Sequence, residues 1–314
     1  MSGFADRRRL AMYSAGWSIM RALPERAAYG LLRTFSDIAW RRRSPSVRGL
    51  ERNLARVVPD ASPDELRRLS REAARSYMRY WGDAFRIGDW DRERIVSRVR
   101  VINEGQLRGP LERGQGVVVA LPHMANWDHA GAWAGQTGLP VASVAERLRP
   151  EKLFDKFVAY REKLGMTIFP LSGGGIDVIA KLTEHLKDGK LVCLPAERDL
   201  SQRGVQVTLF GEPTRMPAGP AMLAMRTGSV LLPVTMWYEG REPNHGIVLN
   251  FHEPVPVPQE RANRIATMTQ RVADAFEDGI RQHPEDWHMT QRLFLSDLDA
   301  ADPRRPSDDK LVST

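Results

Sequence analysis

The 314-residue chain has a single cysteine, Cys193. One thiol excludes an internal disulfide framework and fits a reducing compartment. No arginine-flanked apolar run ends in a small-residue cleavage site, so no secretory signal is expected. The longest uncharged apolar stretch near the N-terminus is residues 10–20, about half of the ~20 residues that a spanning helix needs. A G-x-S-x-G nucleophile elbow is also lacking, which argues against the hydrolases built on one. The run "SGGG" at 172–175 has neither the Lys-Ser/Thr of a P-loop nor a dinucleotide fingerprint, and reads as a strand-to-helix turn. His123 and His129 stand six apart and His283 and His288 five apart; neither is a metal-ligand spacing, so no metal is expected. Zinc-finger spacing and the Gly- and aromatic-rich motif of RNA-binding sheets are missing too, so nucleic acid is not an expected partner.

What is present is a chain 42% hydrophobic and 27% charged, long enough for a full core. Its charge is uneven. Residues 1–100 hold 22 arginines, no lysine and 12 acidic residues, a net of +10 on a chain whose total is +7, leaving −3 for the rest. A basic first third predicts an anionic surface as partner. Leu10, Tyr13, Trp17 and Met20 share one helical face, and Leu31, Phe35 and Ile38 repeat the pattern. With Arg7–Arg9 before and Arg41–Arg43 after, these stripes describe helices lying in a membrane interface. The plainer alternative is amphipathic helices packed on the protein's own core.

Residues 4–58 read as two or three helices broken at Pro24 and Pro59. A long helix starts at Ser62, as N-cap, with Pro63 at its first position and Glu65 completing a capping box, and runs to about Ile87. From residue 97 strands and helices alternate. Strands are expected near 98–102, 117–121, 141–145, 167–169, 190–195, 205–209, 230–238 and 246–252. Helices are expected near 127–137, 150–164, 175–187, 217–227 and 260–282. The predicted fold is α/β: a mostly parallel central sheet flanked by helices, preceded by an amphipathic helical region. Three parts follow: 1–96 helical and membrane-facing, 97–296 the α/β core, and 297–314 a polar tail expected to be frayed.

The chemistry concentrates after two apolar strands. "GVVVALP" is followed by "HMANWDHAG", which carries His123 and Asp128, and "KLVCLPA" is followed by Glu197, Arg198 and Asp199. Polar residues at the carboxyl ends of parallel strands are where open α/β sheets keep their sites. Five residues of regular helix turn through about 140°, so His123 and Asp128 can meet only if His123 lies in the loop and Asp128 in the first helical turn. A carboxylate beside a histidine fixes its tautomer and makes it a general base for a hydroxyl proton. Either Glu197 or Asp128 can fill that place while the other orients a substrate; the residues alone leave this open. Cys193 lies inside an apolar strand and reads as inert core.

His-x4-Asp after a buried strand resembles the signature of the glycerolipid and lysophospholipid acyltransferase superfamily. "LPHMANWDHAG", "VAERLRPEKLFDKFVAYREKLG", "LVCLPAERDL", "GEPTRMPAGPAMLA" and "HPEDWHMTQRLF" occur in the order seen in the phosphatidylinositol mannoside acyltransferases of mycobacteria and related actinobacteria, relatives of the lipid A lauroyl and myristoyl acyltransferases. The resemblance runs over roughly residues 10–298. It implies an α/β enzyme, peripheral on the cytoplasmic face of the plasma membrane. Its reaction would move a fatty acyl group, typically palmitoyl, from acyl-CoA to the 6-hydroxyl of a mannose on phosphatidylinositol mannoside. It implies acyl-CoA as co-substrate, no cofactor and no acyl-enzyme. His123 would be the base, assisted by Asp128 and Glu197. Glu146 and Arg161 match family positions at the site and are expected to contact substrate, as is Arg198. Arg203 and Arg226 are further candidates for coenzyme A phosphates, and residues 216–225, "MPAGPAMLAM", for the acyl groove. The same residues leave room for another lipid hydroxyl as acceptor, or for a non-catalytic lipid-binding protein. A mannosyltransferase partner stays open.

Overall fold

The computed structural model describes residue 13 and residues 15–146, 151–170, 178–199, 204–299 and 302. The expected first helix before residue 13, the turn at 172–175, Arg203 and the end of the tail lie outside the described residues.

After helical residues 15–22 come α1 (Glu25–Arg41), α2 (Pro45–Val57) and α3 (Pro63–Arg86). The start of α3 is fixed as its sequence requires: Ser62 Oγ accepts from Glu65 N, and Glu65 returns a carboxylate to Ser62 N. Alternation then begins, with α4 (Arg92–Ser97), β1 (Val99–Ile102), α5 (Glu104–Glu112), β2 (Val117–Leu121), α6 (Trp127–Gln136), β3 (Val141–Ala145), α7 (Glu151–Lys163) and β4 (Met166–Pro170). It continues through α8 (Val178–Lys187), β5 (Leu191–Pro195), β6 (Val205–Leu209), β7 (Glu212–Met216), α9 (Gly219–Thr227), β8 (Val230–Glu239), β9 (Gly246–Phe251) and α10 (Arg264–Gln282). The main sheet has seven strands in the order β1-β9-β8-β2-β5-β3-β4. Every neighbouring pair in it is parallel except β8–β9. Crossover helices flank this sheet, so β2 is buried along its whole length, as a continuous valine run in a parallel sheet should be. At Gly131, α6 rests so close on β4 that a Cβ would lie 2.3 Å from Met166 Sδ.

The described residues of the first hundred are built into this body. Trp17 packs on Phe85, Phe157 and Tyr160, and Met20 is buried. The C-terminal half of the first predicted stripe, Trp17 and Met20, therefore faces inward, as the core-packing alternative has it, while Tyr13 stays exposed and Leu10 lies outside the described residues. Helix α1 divides its surface: Ala28, Tyr29, Leu32 and Ser36 are buried, while Leu31, Phe35 and Ile38 stay exposed, Phe35 at 55%. At the other end the chain stays packed past residue 296. Asp297 pairs with Arg56 at 3.0 Å and Arg52 at 3.1 Å, and Leu298 is buried. Among the described residues no helix is long and apolar enough to cross a membrane.

Candidate active site

Strands β2 and β5 are parallel neighbours whose ends are in register, Leu121 beside Pro195. His123 and Glu197 each lie two residues past that rung, so equal overshoot puts them side by side. Glu197 Oε1 accepts from the His123 backbone N at 2.5 Å and meets its ring Nδ1 at 2.7 Å. A carboxylate only accepts, so Nδ1 carries the ring proton and Nε2 is left as the basic nitrogen. No partner meets Nε2 among the described residues, and the His123 side chain is 32% exposed where Glu197 is fully buried. Burial pushes the Glu197 carboxyl up, but the charge of His123 and its two hydrogen bonds outweigh this and hold the group below the usual glutamate range. The pair is an imidazole with one face open and a permanent anion behind it. That arrangement can take a proton from a hydroxyl and carry it as imidazolium.

Asp128 is elsewhere. It lies in the first turn of α6, two residues after the N-cap Asn126, whose side chain accepts from His129 N. Its carboxylate, itself buried, accepts from the partly buried Arg161 Nε at 2.7 Å and from the buried Tyr80 Oη at 3.0 Å. Glu197, not Asp128, is thus the carboxylate on the His123 ring, and Asp128 joins α6 to α3 and α7. Burial works against the Arg161 charge, yet Asp128 more than offsets it and holds the guanidinium firmly protonated. Burial and the Asp128 charge together raise Tyr80 well above the usual tyrosine range, so it stays a donor. The Tyr80 ring stacks on Trp127 at 4.2 Å, and Trp127 stands edge-on to His123 at 5.1 Å.

Two cavities meet at this point. One, of about 400 Å³, is lined by His123, Glu146, Arg161, Arg198 and Asp199 on its polar side and by Val144, Leu182, Leu194 and Leu223 among others on its apolar side. Glu146 and Arg198 face each other across its rim at 3.7 Å. The other, of about 90 Å³, is almost wholly apolar and extends across the sheet to Leu249 and Phe251. Trp127, Val144, Arg161 and Pro195 line both. Cys193 also lines the apolar one; burial pushes its thiol up to about 12, so it is unreactive at neutral pH. Of residues 216–225, Pro217, Gly219, Pro220 and Leu223 line the larger cavity, while Met216 is core and Met222 faces out. Arg226 sits exposed in the last turn of α9, beside Met225 and Gly228, which line a separate groove. No cluster of three potential metal ligands occurs among the described residues.

The supporting residues were less visible in sequence. Ser76, Tyr80 and Asp83, at +4 and +3 on α3, aim one polar stripe into the core. Asp83 is fully buried and accepts from Tyr29, His245 and Asn126. Burial pushes its carboxyl up, but the His245 charge and these bonds bring it down to about 2. Polar residues on the inward face of an amphipathic helix are a readable signal, although their partners are not.

Fold and site agree with a single class: the chain belongs to the bacterial lipid A biosynthesis acyltransferase family, whose model matches residues 7–296, and it is an acyltransferase. Among curated proteins it is 44% identical over 296 residues to the phosphatidylinositol mannoside acyltransferase of Mycolicibacterium smegmatis, covering 93% of each chain. It is 42% identical over 291 residues to the phosphatidylinositol mannoside acyltransferase of Mycobacterium tuberculosis H37Rv, covering 91% of this chain and 88% of that one.

Proposed function

We propose that the protein transfers a fatty acyl group, palmitoyl as the expected donor, from acyl-CoA to the 6-hydroxyl of a mannose of phosphatidylinositol mannoside. The observation that carries the reading is the His123–Glu197 pair, open on one side, with His123 in the wall of the larger cavity beside Trp127, which lines both that cavity and the apolar one. The names of the two mycobacterial relatives supply the lipid. His123 Nε2 takes the proton of the mannose hydroxyl while its oxygen attacks the thioester carbonyl carbon. The carbon–sulfur bond then breaks, and the departing thiolate takes that proton back from Nε2. Glu197 stabilises the imidazolium between the two steps. Asp128 sets Arg161 at the junction of the cavities, where the acyl carbonyl and sugar meet. The carbons next to the thioester enter the apolar cavity, and Arg198 at the rim faces the anionic part of the donor. Arg203 remains a candidate for the same phosphates, and Arg226 takes no part in this arrangement.

A lipid acceptor requires a membrane surface. The exposed face of Leu31, Phe35 and Ile38, with Arg33 and Arg41–Arg43 around it, supports peripheral binding to an anionic leaflet, the cytoplasmic one in this reading. The test is mass spectrometry of lipid products after incubation with palmitoyl-CoA and a panel of acceptors, using wild type and His123→Ala. A palmitoylated mannoside formed by wild type and reduced about 10²–10⁴-fold in His123→Ala supports the reading. Acylation of a different lipid alone, or no transfer at all, overturns it.

A further inference from the structure

We propose that Asp286 is a positioning residue for the His123 base, acting through the backbone of residues 286–288. This rests on the reading of His123 as the base. The link from β2 to α6 is short, and Ala125 within it adopts φ +42°, a left-handed conformation for a residue with a Cβ. A neighbouring strand of chain holds it there. Ala125 N donates to Asp286 O at 2.9 Å, His288 N donates to His123 O at 2.8 Å, and Met124 stands opposite Trp287 in an antiparallel bridge. The backbone of the base is therefore pinned on one side by 286–288 and on the other by Glu197 Oε1, which also receives its ring. A shift in that backbone moves the imidazole with it.

What fixes 286–288 is the Asp286 side chain, 3% exposed. Oδ1 accepts from Ser76 Oγ on α3 at 2.5 Å, and Oδ2 from Tyr238 N on β8 at 2.8 Å. Ser76 Oγ also lies 2.8 Å from His288 Nε2. Serine has one hydrogen and gives it to the carboxylate, so His288 donates to Ser76 through Nε2 and its Nδ1 is left bare. That nitrogen has no partner among the described residues. Serine, histidine and aspartate here are not a hydrolytic triad: all three are buried, and the carboxylate meets the serine rather than the imidazole.

The role is geometric, so an isostere should fill it. With asparagine at 286, the amide oxygen accepts from Tyr238 N and the amide nitrogen donates to Ser76. Ser76 then donates to His288 Nε2, and the proton of His288 moves to its vacant Nδ1. Every bond that holds 286–288 survives.

The test measures kcat and KM for acyl transfer, with thermal unfolding, on full-length wild type, His123→Ala, Asp286→Ala, Asp286→Asn and Ser76→Ala. Asp286→Ala is expected to lose tenfold or more in kcat with the acceptor KM within twofold, and Asp286→Asn to return within threefold of wild type. Ser76→Ala should lose at least threefold in kcat at unchanged KM, and decides the matter if Asp286→Ala does not fold. A folded Asp286→Ala with wild-type kcat, beside an inactive His123→Ala, overturns the proposal. So does an Asp286→Asn as slow as a folded Asp286→Ala, and so does a Ser76→Ala at wild-type kcat. Full activity in His123→Ala would instead sink the base reading beneath it.

Discussion

Exchanging Glu197 for glutamine isolates the charge behind His123 from the geometry that holds it. Glu197 Oε1 receives two donors, the backbone N at 2.5 Å and Nδ1 at 2.7 Å, whereas Oε2 makes no hydrogen bond among the described residues. A glutamine has one orientation that keeps both bonds, with its oxygen at the Oε1 place and its nitrogen at the Oε2 place. The reverse would set an N–H against two donors, one of them a backbone group that cannot turn. The proton consequently stays on Nδ1 and Nε2 stays basic. What is lost is the charge that stabilises the imidazolium. A hydrogen bond to a charged group contributes ~1.5–3 kcal/mol, which is about 10- to 150-fold in rate. A flipped amide forcing the other tautomer would cost on the order of 10⁴-fold, so the size of the loss tells the two cases apart. Initial rates with a fixed acyl donor and varied acceptor would give kcat and KM separately, and the fall should be in kcat. A folded Glu197→Gln enzyme with kcat within threefold of wild type would refute the assignment of Glu197 as the partner of the base.

Other parts of the molecule give equally definite expectations. Asp128→Ala leaves the partly buried Arg161 guanidinium without its carboxylate and should cost about 2–4 kcal/mol in chemical unfolding. Replacing both with leucine should recover most of that stability but not activity, and a single Asp128→Ala as stable as wild type would show the pair to be idle. Changing Leu31, Phe35 and Ile38 together to serine should cut binding to anionic vesicles at least tenfold with the melting temperature unchanged; binding equal to wild type would place membrane contact elsewhere. Burial raises the Asp286 carboxyl from the ordinary 3.8 to about 6, so the native state holds that proton more tightly than the unfolded chain does. Stability from this group is full below pH ~4 and lost as pH rises through ~6, a difference of roughly 3 kcal/mol. Asp286→Asn lacks this loss, so its stability relative to wild type should improve by about that amount between pH 4 and pH 7. Parallel pH profiles for the two proteins would contradict it.

Much of the architecture was legible because parallel strands are apolar runs with clear ends. Strands at 117–121, 141–145 and 205–209 lie where the residues put them. Strand β7 was missed for a local reason. Its residues, "EPTRM", are polar, and the two-residue turn before it is Phe210-Gly211, with φ +51° and +78°. Such turns are usually announced by Asn-Gly or Asp-Gly. Here packing overrides that preference, since Phe210 is buried against Trp287 and its N–H is held by Glu277. Helix α5 was missed because Gly105, Gly109 and Pro110 depress its helical propensity. At the site the residue types were readable and the pairings were not. His-x4-Asp suggests a bond between its ends, yet His123 finds Glu197 and Asp128 finds Arg161 and Tyr80. Each choice depends on strand register or helix docking across tens of residues.

That dependence on register has a consequence for when the protein acquires its reactivity. His123 and Glu197 are 74 residues apart in sequence and meet only once β2 and β5 are aligned rung for rung. A shift of one residue in either strand would turn every side chain to the opposite face, and the carboxylate would no longer reach the ring. Parallel pairing over such a span is among the slower events of folding. A chain still emerging, or one collapsed with its strands misaligned, therefore has an apolar interior able to attract acyl chains but no activated histidine to attack with. The sheet acts as an assembly check: acyl donors meet a working base only in molecules whose central strands have closed correctly.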